Sequence, residues 1–464
     1  MKTRYNLSKN IYIVTLLFMT LLVSSCKKEW LDAKPNLALV VPSTVKDYQA
    51  ILDNNTGTTL FNNNQPALSE VGAGDLYLLY PTWQALDNTQ ERNAYLWNPD
   101  IYAGETAYDW NDTYNRILNE NIVLDGIAKV PSDQTSIAGW NNVKGTALFY
   151  RAYDFWSLAQ EFAKAYDPNT ASSDLGIPIR TNPDITVKSV RATVQQTYDL
   201  IVNDLLLAKT LLPDAALFPT RPGKAAVYGM LSRAYMSMSS YDKAFLYADS
   251  CLQLSSQLLN YNSLSTTSSK PIARFNKEVI YHHTLEYYSA FTNASPNLIV
   301  DSVLYNSYSA NDLRKRIFFK DVSGFKTRKA SYGGASIPFG GIATDEIYLI
   351  RAECYARKND MASAMKDLNT LLFTRWLTGT FVPYTAANST EALLQILAER
   401  RKELVYRGLR WSDLKRLNKD TQTAVTLTRT LNSKSYSLAP NSNLYVFPIP
   451  PAEVQLSGLP QNPR

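Results

Sequence analysis

The sequence predicts a mainly α-helical fold of helical hairpins, interrupted by long irregular insertions that carry a small amount of β structure. Apolar residues recur at helical spacing over several long stretches of the chain. Pro, Gly, Asn, Ser and Thr are concentrated between those stretches, where they favour turns and loops. The chain has 464 residues, of which 45% are hydrophobic and 12% aromatic. A chain of this length and composition can bury a large core.

The N-terminus has the features of a bacterial lipoprotein signal. A positively charged start precedes an apolar run from Ile11 to Leu22, which is shorter than the roughly 20 residues that cross a bilayer. Ser24 and Ser25 then precede Cys26. This arrangement resembles a lipobox, in which the cysteine is acylated and several acyl chains hold the protein at a membrane. We therefore predict a cleaved signal peptide over residues 1–25 and lipid attachment at Cys26.

Charge and cysteine content narrow the class of protein further. The net charge of +6 includes three basic residues and no acidic residue within 1–25, so the remaining chain is close to +3. No long basic run is present, and we therefore predict no nucleic-acid partner. Beyond Cys26 the chain contains Cys251 and Cys354, both within helical patterns. We expect them to be small buried hydrophobes, and a disulfide between them stays open.

The helical regions are separated by proline-containing breaks. From Trp110 to Lys129 the apolar residues fall at helical spacing, and Pro131 ends the run. The predicted helical regions are 110–129, 140–165 and 193–212, the hairpins 223–254 and 344–376, and a helix over 391–407. Residues 376–390 and 418–464 are expected to be irregular, and Val279–Tyr281 is a short β-prone segment.

Two of the hairpins share a spacing of aromatic and small residues. Tyr235 precedes Ala244 by nine residues, and Tyr355 precedes Ala364 by nine residues as well. This spacing resembles the tetratricopeptide pattern, in which small residues let two helices pack closely. A weaker third copy in region 140–165 has Phe162 where the pattern requires a small residue.

The repeats are not in tandem, because long segments separate them. We predict a single domain over residues 26–464, with tetratricopeptide-like hairpins near 140–254 and 344–407. Ligand-facing insertions are expected near 53–109 and 255–343, since inserted segments in such folds gather on one face, often the binding face.

The segment from Glu399 to Arg416 carries the most specific pattern in the chain. It joins a Glu/Arg-rich helix, Gly408, an arginine and an Asp-Leu pair. This pattern resembles the signature of the SusD/RagB family of Bacteroidetes outer-membrane lipoproteins. Arg407 stands where that signature usually has an acidic residue, a departure that calls one internal salt bridge into question. The start of the mature chain, the helix near Trp110 and the closing segment resemble the same family, so the resemblance covers essentially the whole mature chain.

The same segment also has an interpretation that does not depend on a family. Glu399 and Glu403 are one helical turn apart, with basic residues between them. Gly408 suits the end of a helix, where a positive φ is needed. Arg410 and Asp413 are expected to pair. We therefore predict a network that holds the fold together, not a catalytic site.

The resemblance implies a function as well as a fold. It implies a lipid-anchored protein at the outer membrane, facing the cell exterior, with a SusC-like TonB-dependent barrel as partner. It implies that the protein captures a glycan or oligosaccharide and delivers it to that transporter, without a cofactor and without bond cleavage. Some members are associated with peptides, and the sequence leaves that alternative open.

The residues leave two further function classes open. A surface glycoside hydrolase needs two carboxyl groups that can lie far apart in the chain, and Glu70 and Asp75 are the acids to test. A pure protein-interaction scaffold would bind no small ligand. Nucleophile-elbow and phosphate-loop motifs are absent from the sequence. His282 and His283 are adjacent, and adjacent strand residues face opposite sides, so we predict no zinc site and assign no metal ligands. A calcium site built from scattered carboxylates stays open.

A glycan site needs flat aromatic rings flanked by hydrogen-bonding groups, displayed on loops over a rigid scaffold. Two stretches, 75–97 and 281–291, combine such residues with a loop-like composition. The predicted ligand contacts are Asp75, Tyr77, Tyr80, Trp83, Trp97, Tyr287 and Tyr288.

Overall fold

The described part of the chain is organised as antiparallel helical hairpins with short strands between them. A computed structural model of the protein describes residues 41–54, 61–131, 137–291 and 298–464. Cys26 and the predicted signal peptide lie outside these residues. Residues from Thr44 to Arg464 form one compact unit. The predicted mainly α-helical class with minor β structure is confirmed.

Helices cover most of the regular structure. The helices are α1 (Val45–Leu52), α2 (Leu68–Gly72), α3 (Tyr80–Gln84), α4 (Thr89–Tyr95), α5 (Tyr108–Ile127), α6 (Ile137–Phe162), α7 (Val194–Leu211), α8 (Lys224–Ser237), α9 (Tyr241–Leu254), α10 (Ser302–Ser307), α11 (Arg314–Phe318), α12 (Thr344–Arg357), α13 (Met361–Phe373), α14 (Ser389–Glu403), α15 (Arg410–Leu417) and α16 (Pro451–Ser457). The strands are β1 (Leu76–Tyr77), β2 (Leu175–Pro178), β3 (Arg191–Thr193), β4 (Val279–Tyr281), β5 (Ile299–Val300), β6 (Phe319–Val322), β7 (Phe325–Arg328), β8 (Ile342–Ala343), β9 (Leu427–Leu431) and β10 (Lys434–Leu438).

The two predicted repeats are the hairpins α8–α9 and α12–α13. Ala244 and Ala364, the small residues of the pattern, are completely buried. Gly229 on α8 also packs closely, because a Cβ atom there would lie 2.7 Å from Cγ2 of Ile342. Small side chains therefore allow the close approach of helices that the spacing predicts.

The third hairpin consists of α6 and α7, with residues 163–193 between them. α6 continues to Phe162, so this buried ring lies within a long first helix and not in the second helix of a compact repeat. This explains the departure from the repeat pattern. Nε of Arg151 on α6 pairs with Oδ2 of Asp204 on α7 at 2.8 Å. Both side chains are buried, and their pairing offsets the cost of desolvating two charges.

α14 ends at Glu403, so the prediction of a helix to residue 407 was wrong. Tyr406 has a positive φ of 60°, which interrupts the helical backbone. Gly408 has a positive φ of 71°, and a Cβ atom there would lie 2.7 Å from Cδ2 of Leu285. Glycine therefore suits both the positive φ and the close approach of Leu285 at this position. It precedes α15 and does not cap α14 directly.

The C-terminal segment 418–464 is more regular than predicted, since it contains the β9–β10 hairpin and α16. In β9 the buried Leu427, Arg429 and Leu431 alternate with exposed threonines. Asn432 and Ser433 join the strands with φ values of 49° and 61°, as in a two-residue hairpin turn. This hairpin was not predicted from the sequence, because its turn lacks glycine and one of its inward residues is charged.

A small sheet brings the two long insertions together. Its strand order is β1-β5-β7-β6. Leu76 pairs with Val300 and Tyr77 pairs with Ile299, both in antiparallel register. The N-terminal insertion 53–109 therefore lies alongside the central insertion 255–343.

A buried ion network surrounds Glu403 at the end of α14. Nε of Arg375 lies 2.7 Å from Oε1 of Glu403, and Nη1 of Arg314 lies 2.9 Å from Oε2. Arg314 also contacts Glu399 at 2.6 Å, and Arg375 contacts Glu278 at 2.9 Å. The two arginines are completely buried, so each needs these carboxylates. The prediction that Glu399 and Glu403 hold the fold together agrees with this geometry.

Asp413 belongs to a second cluster and does not pair with Arg410, so that detail of the prediction was wrong. Oδ2 and Oδ1 of Asp413 accept hydrogen bonds from Arg400 at 2.8 Å and Arg416 at 2.9 Å. The guanidinium of Arg410 lies 4.0 Å from a carboxylate oxygen of Asp75.

Arg407, which departs from the family signature, has partners of its own. Its Nη1 atom lies 3.0 Å from Oδ2 of Asp345, and its guanidinium carbon lies 4.0 Å from the ring centre of Tyr332. Arg407 is therefore held by Asp345 and Tyr332 in the interior. Cys251 and Cys354 are free and completely buried, so the predicted role as small core residues is confirmed.

We expect the Glu403→Gln substitution to destabilise the protein by roughly 3–5 kcal/mol, because it removes the negative charge that pairs with two buried arginines. Urea unfolding followed by circular dichroism measures the loss. Asp125→Asn, which breaks the exposed pair with Lys129, is the control and should change stability little. An equal effect of the two substitutions would contradict a dominant role for the network.

Candidate functional site

The two predicted ligand-facing stretches meet in the structure. The backbone N–H of Asp87 donates to Oγ of Ser289 at 3.1 Å, and Ser289 Oγ donates to a carboxylate oxygen of Glu91 at 3.0 Å. The backbone N–H of Ala290 donates to the other Glu91 oxygen at 2.7 Å. These bonds join the α3–α4 region to the segment that carries Tyr287.

Tyr80 and Trp83 form a stacked pair on α3. Their ring centres are 5.8 Å apart, with 18° between the ring planes, and both side chains are half-buried. The indole N–H of Trp83 donates to the carbonyl oxygen of Arg92 at 3.0 Å. Nη1 of Arg92 in turn donates to the carbonyl oxygen of Leu86 at 2.6 Å. The Trp83 ring is therefore held in place by helix α4, which follows it in the chain.

Tyr77 and Tyr287 extend this partly exposed set. Tyr77 on β1 is half-buried, and burial is the main cause that raises the pKa of its phenol. The side chain of Tyr287 is 47% exposed and lies two residues from Ser289, which contacts Asp87. We call Tyr77, Tyr80, Trp83 and Tyr287 the aromatic surface. Aromatic rings that keep part of their area in solvent can stack on the apolar face of a ligand.

Three of the predicted ligand contacts lie in the interior, with their polar atoms engaged. Asp75 accepts a hydrogen bond from Nε of Arg401 at 2.8 Å. The indole N–H of Trp97 donates to the carbonyl oxygen of Gly72 at 3.0 Å. The hydroxyl of Tyr288 donates to Asp109 at 2.9 Å. Since each of the three is less than 5% exposed, we do not retain them as ligand contacts.

The two acids considered for a hydrolase are also structural. Glu70 accepts a hydrogen bond from the backbone N–H of Trp411 at 3.0 Å, and burial raises the pKa of Glu70 to about 8. Asp75 is engaged by Arg401 as described above. Both acids support packing between the N-terminal insertion and the helices α14 and α15.

His282 and His283 are buried between aromatic rings. The ring centre of His283 lies 4.9 Å from that of Tyr153, and the ring centre of His282 lies 5.6 Å from that of Phe339. Burial lowers the pKa of His282 to about 4 and that of His283 well below its usual range. Within the described residues, no three His, Cys, Asp or Glu side chains are grouped as metal ligands.

Glu286 is a buried carboxyl group that directly precedes Tyr287 in the chain. The side chain accepts a hydrogen bond from the backbone N–H of Tyr287 at 2.9 Å, while its second oxygen has no partner among the described residues. Burial, and then the nearby charge of Asp109, raise the pKa of Glu286 to about 8. The carboxyl group is therefore held in its neutral form at moderately acidic pH.

Sequence reasoning missed two cavities. One of about 320 Å³ lies along α5 and is lined by Trp110, Tyr114 and Arg180 among others. A second of about 260 Å³ lies at the end of α6, beside α15. The first leaves a weak signal in the sequence, since Trp110 and Tyr114 are one helical turn apart on α5. The second is lined by residues that are widely separated in sequence, so no local pattern could reveal it.

Comparison with known proteins identifies the family. A family model described as starch-binding associating with outer membrane (SusD-like_3) matches residues 29–236. A second model, described as the SusD family (SusD_RagB), matches residues 225–464. The chain belongs to the SusD family. No curated protein sequence matches it.

Solved structures share the fold over nearly their whole length. A putative sugar binding protein from Bacteroides vulgatus ATCC 8482 is 20% identical, with a TM-score of 0.72 and coverage of 91% of this chain and 99% of the other. A SusD superfamily protein from Bacteroides thetaiotaomicron VPI-5482 is 22% identical, with a TM-score of 0.71 and coverage of 91% and 100%. Surface glycan-binding protein A from Bacteroides fluxus is 17% identical, with a TM-score of 0.68 and coverage of 91% and 100%.

We expect the change in stability caused by the Glu286→Gln substitution to be more favourable at pH 8 than at pH 5. A carboxyl group whose pKa is raised on folding contributes stability below its ordinary pKa of 4.5, and that contribution is lost as the pH rises through about 8. Glutamine cannot ionise, so the variant avoids this loss. Thermal unfolding at both pH values measures the difference, and Glu391→Gln at an exposed site is the control. A pH-independent effect would contradict the assignment.

Proposed function

We propose that the protein binds an oligosaccharide at the aromatic surface and passes it to a SusC-like TonB-dependent transporter. The stacked pair of Tyr80 and Trp83 carries the proposal. Sugar rings have apolar C–H faces, which pack against aromatic rings, and polar edges, which need hydrogen-bonding partners nearby. The exposed Gln84 and Asp87 lie close in sequence to the pair and supply such groups.

The location follows from the N-terminal signal and the family. We propose that residues 1–25 are removed, that Cys26 is acylated, and that the protein is held on the outer face of the outer membrane. Among the described residues, no helix is both long and apolar enough to span a bilayer. The domain that binds the ligand would then extend from residue 26 to 464.

The same proposal assigns the protein no catalytic role. A hydrolase would need two accessible carboxyl groups on either side of a glycosidic bond. Glu70 and Asp75, the acids selected from the sequence, are both buried and both hydrogen bonded. Their burial supports capture and release over cleavage.

We expect the Trp83→Ala substitution to weaken oligosaccharide binding at least about tenfold, or roughly 1.4 kcal/mol, because it removes the larger ring of the stacked pair. The family description makes maltoheptaose the first probe for calorimetry, followed by the best ligand from a glycan array. Trp83→Phe should retain much of the affinity. Phe373→Ala, at a ring that is 68% exposed on α13, is the matched control.

Three results would count against the proposal. Unchanged affinity of the Trp83→Ala protein would remove this residue from the site. Binding of peptides but of no glycan on parallel arrays would favour the peptide-binding alternative. Release of reducing ends from any glycan by the purified protein would replace binding with hydrolysis.

A further inference from the structure

The cavity beside α15 shares no residue with the aromatic surface. Its volume is about 260 Å³, and it lies between the end of α6, the segment 164–174, α15 and the segment 441–446. Lys415, Asn418 and Lys419 line it from α15 and the residues that follow. Residues separated by three or four positions share one face of a helix, so these three point to the same side.

Lys415 supplies a buried ammonium group. Its side chain is only about 5% exposed, and its Nζ atom donates to the carbonyl oxygens of Gln160 and Ala163, each at 2.6 Å. Burial lowers the pKa of Lys415 to about 7. The protonated amine has three N–H donors, so one remains in that form, which a bound anion favours. Within the described ranges no carboxylate lies at ion-pair distance from Lys415.

Asn418 and Tyr445 supply two further donors. The backbone N–H of Val425 donates to Oδ1 of Asn418 at 3.0 Å, which fixes the orientation of the amide. The Asn418 side chain lies close to the Tyr445 hydroxyl, where it opposes the rise that burial causes in the pKa of that phenol. Neither Nδ2 of Asn418 nor the hydroxyl has another hydrogen-bond partner in the described parts of the chain. Both residues are about 3% exposed and both line the cavity. Buried donors without partners cost free energy, and this points to a ligand that accepts hydrogen bonds.

The two carboxylates at the cavity are neutralised by their own partners. Asp167 lies 3.0 Å from Nζ of Lys419, and Asp174 lies 2.7 Å from Nζ of Lys164. They therefore do not cancel the charge of Lys415. The donors that remain for a ligand are one ammonium N–H of Lys415, an amide N–H of Asn418 and the phenol hydroxyl of Tyr445.

We propose that this cavity binds a compact oxoanion, a carboxylate, sulfate or phosphate group, through Lys415, Asn418 and Tyr445. An anion accepts hydrogen bonds from all three donors, and charged acceptors form the stronger bonds. A cavity of about 260 Å³ has room for the anionic group together with a small attached body such as one sugar ring. The site is independent of oligosaccharide binding at the aromatic surface.

Calorimetry of the purified protein at constant ionic strength tests the site. The probes are sodium sulfate, sodium phosphate and sodium glucuronate, with glucose as the neutral control. At least one anion should bind saturably, and glucose should not bind here. Tighter binding of glucuronate than of the inorganic anions assigns an acidic sugar, and the reverse order assigns a free anion. The absence of saturable binding of all three anions would overturn the proposal.

Variants locate the binding. Tyr445→Phe removes only a hydroxyl whose polar neighbour is the Asn418 side chain, so the fold should be kept while anion affinity falls about tenfold. Lys415→Met should abolish binding. Tyr436→Phe on β10 is the matched control, and Trp83→Ala should leave the anion affinity unchanged. Full affinity of the Tyr445→Phe protein, or a loss caused by Trp83→Ala, would overturn the assignment even if the Lys415→Met protein fails to fold.

Discussion

The pairing of Glu403 with two buried arginines is the constraint on which the rest of the structure depends. Arg314 and Arg375 are completely removed from solvent, and a buried charge is tolerated only when it is paired and hydrogen bonded. Arg314 belongs to the central insertion, Arg375 follows the second repeat, and Glu403 ends α14. The network therefore fixes three distant parts of the chain relative to one another.

α14 connects this network to both ligand-facing insertions. Glu399 and Glu403 hold the central insertion through Arg314. Arg401, on the same helix, holds the N-terminal insertion through Asp75. The segment with the most specific sequence pattern thus contains none of the residues proposed to bind the oligosaccharide. Its role is to position the loops that carry those residues. Since loops carry binding groups only as precisely as the scaffold holds them, this anchoring decides the geometry of the aromatic surface.

Sequence periodicity predicted the longer helices because their apolar patterns span several turns, and prolines follow the regions 110–129, 140–165 and 193–212. It failed where the deciding partner is remote. The alternation in β9 includes the buried Arg429, whose guanidinium lies over the ring of Tyr95 at 3.8 Å, and no local rule anticipates such a residue in a core position.

The candidate site was predicted in part for the same reason. The composition of stretches 75–97 and 281–291 located the loops that meet at Ser289. Composition cannot decide which ring turns inward, because Tyr287 and Tyr288 are neighbours and only the second reaches Asp109. The cavity beside α15 is assembled from three separate segments, so it exists only after folding.

The fixed indole of Trp83 has a consequence for selectivity. Its single N–H is already bonded to the Arg92 carbonyl, so the ring can offer a ligand only its flat apolar face. An apolar ring face forms no hydrogen bonds that distinguish axial from equatorial hydroxyls or one glycosidic linkage from another. In the proposed site, discrimination between stereoisomers must therefore come from flanking side chains such as Gln84. Substitutions there are expected to change which sugar is bound while the Trp83 ring stays in place.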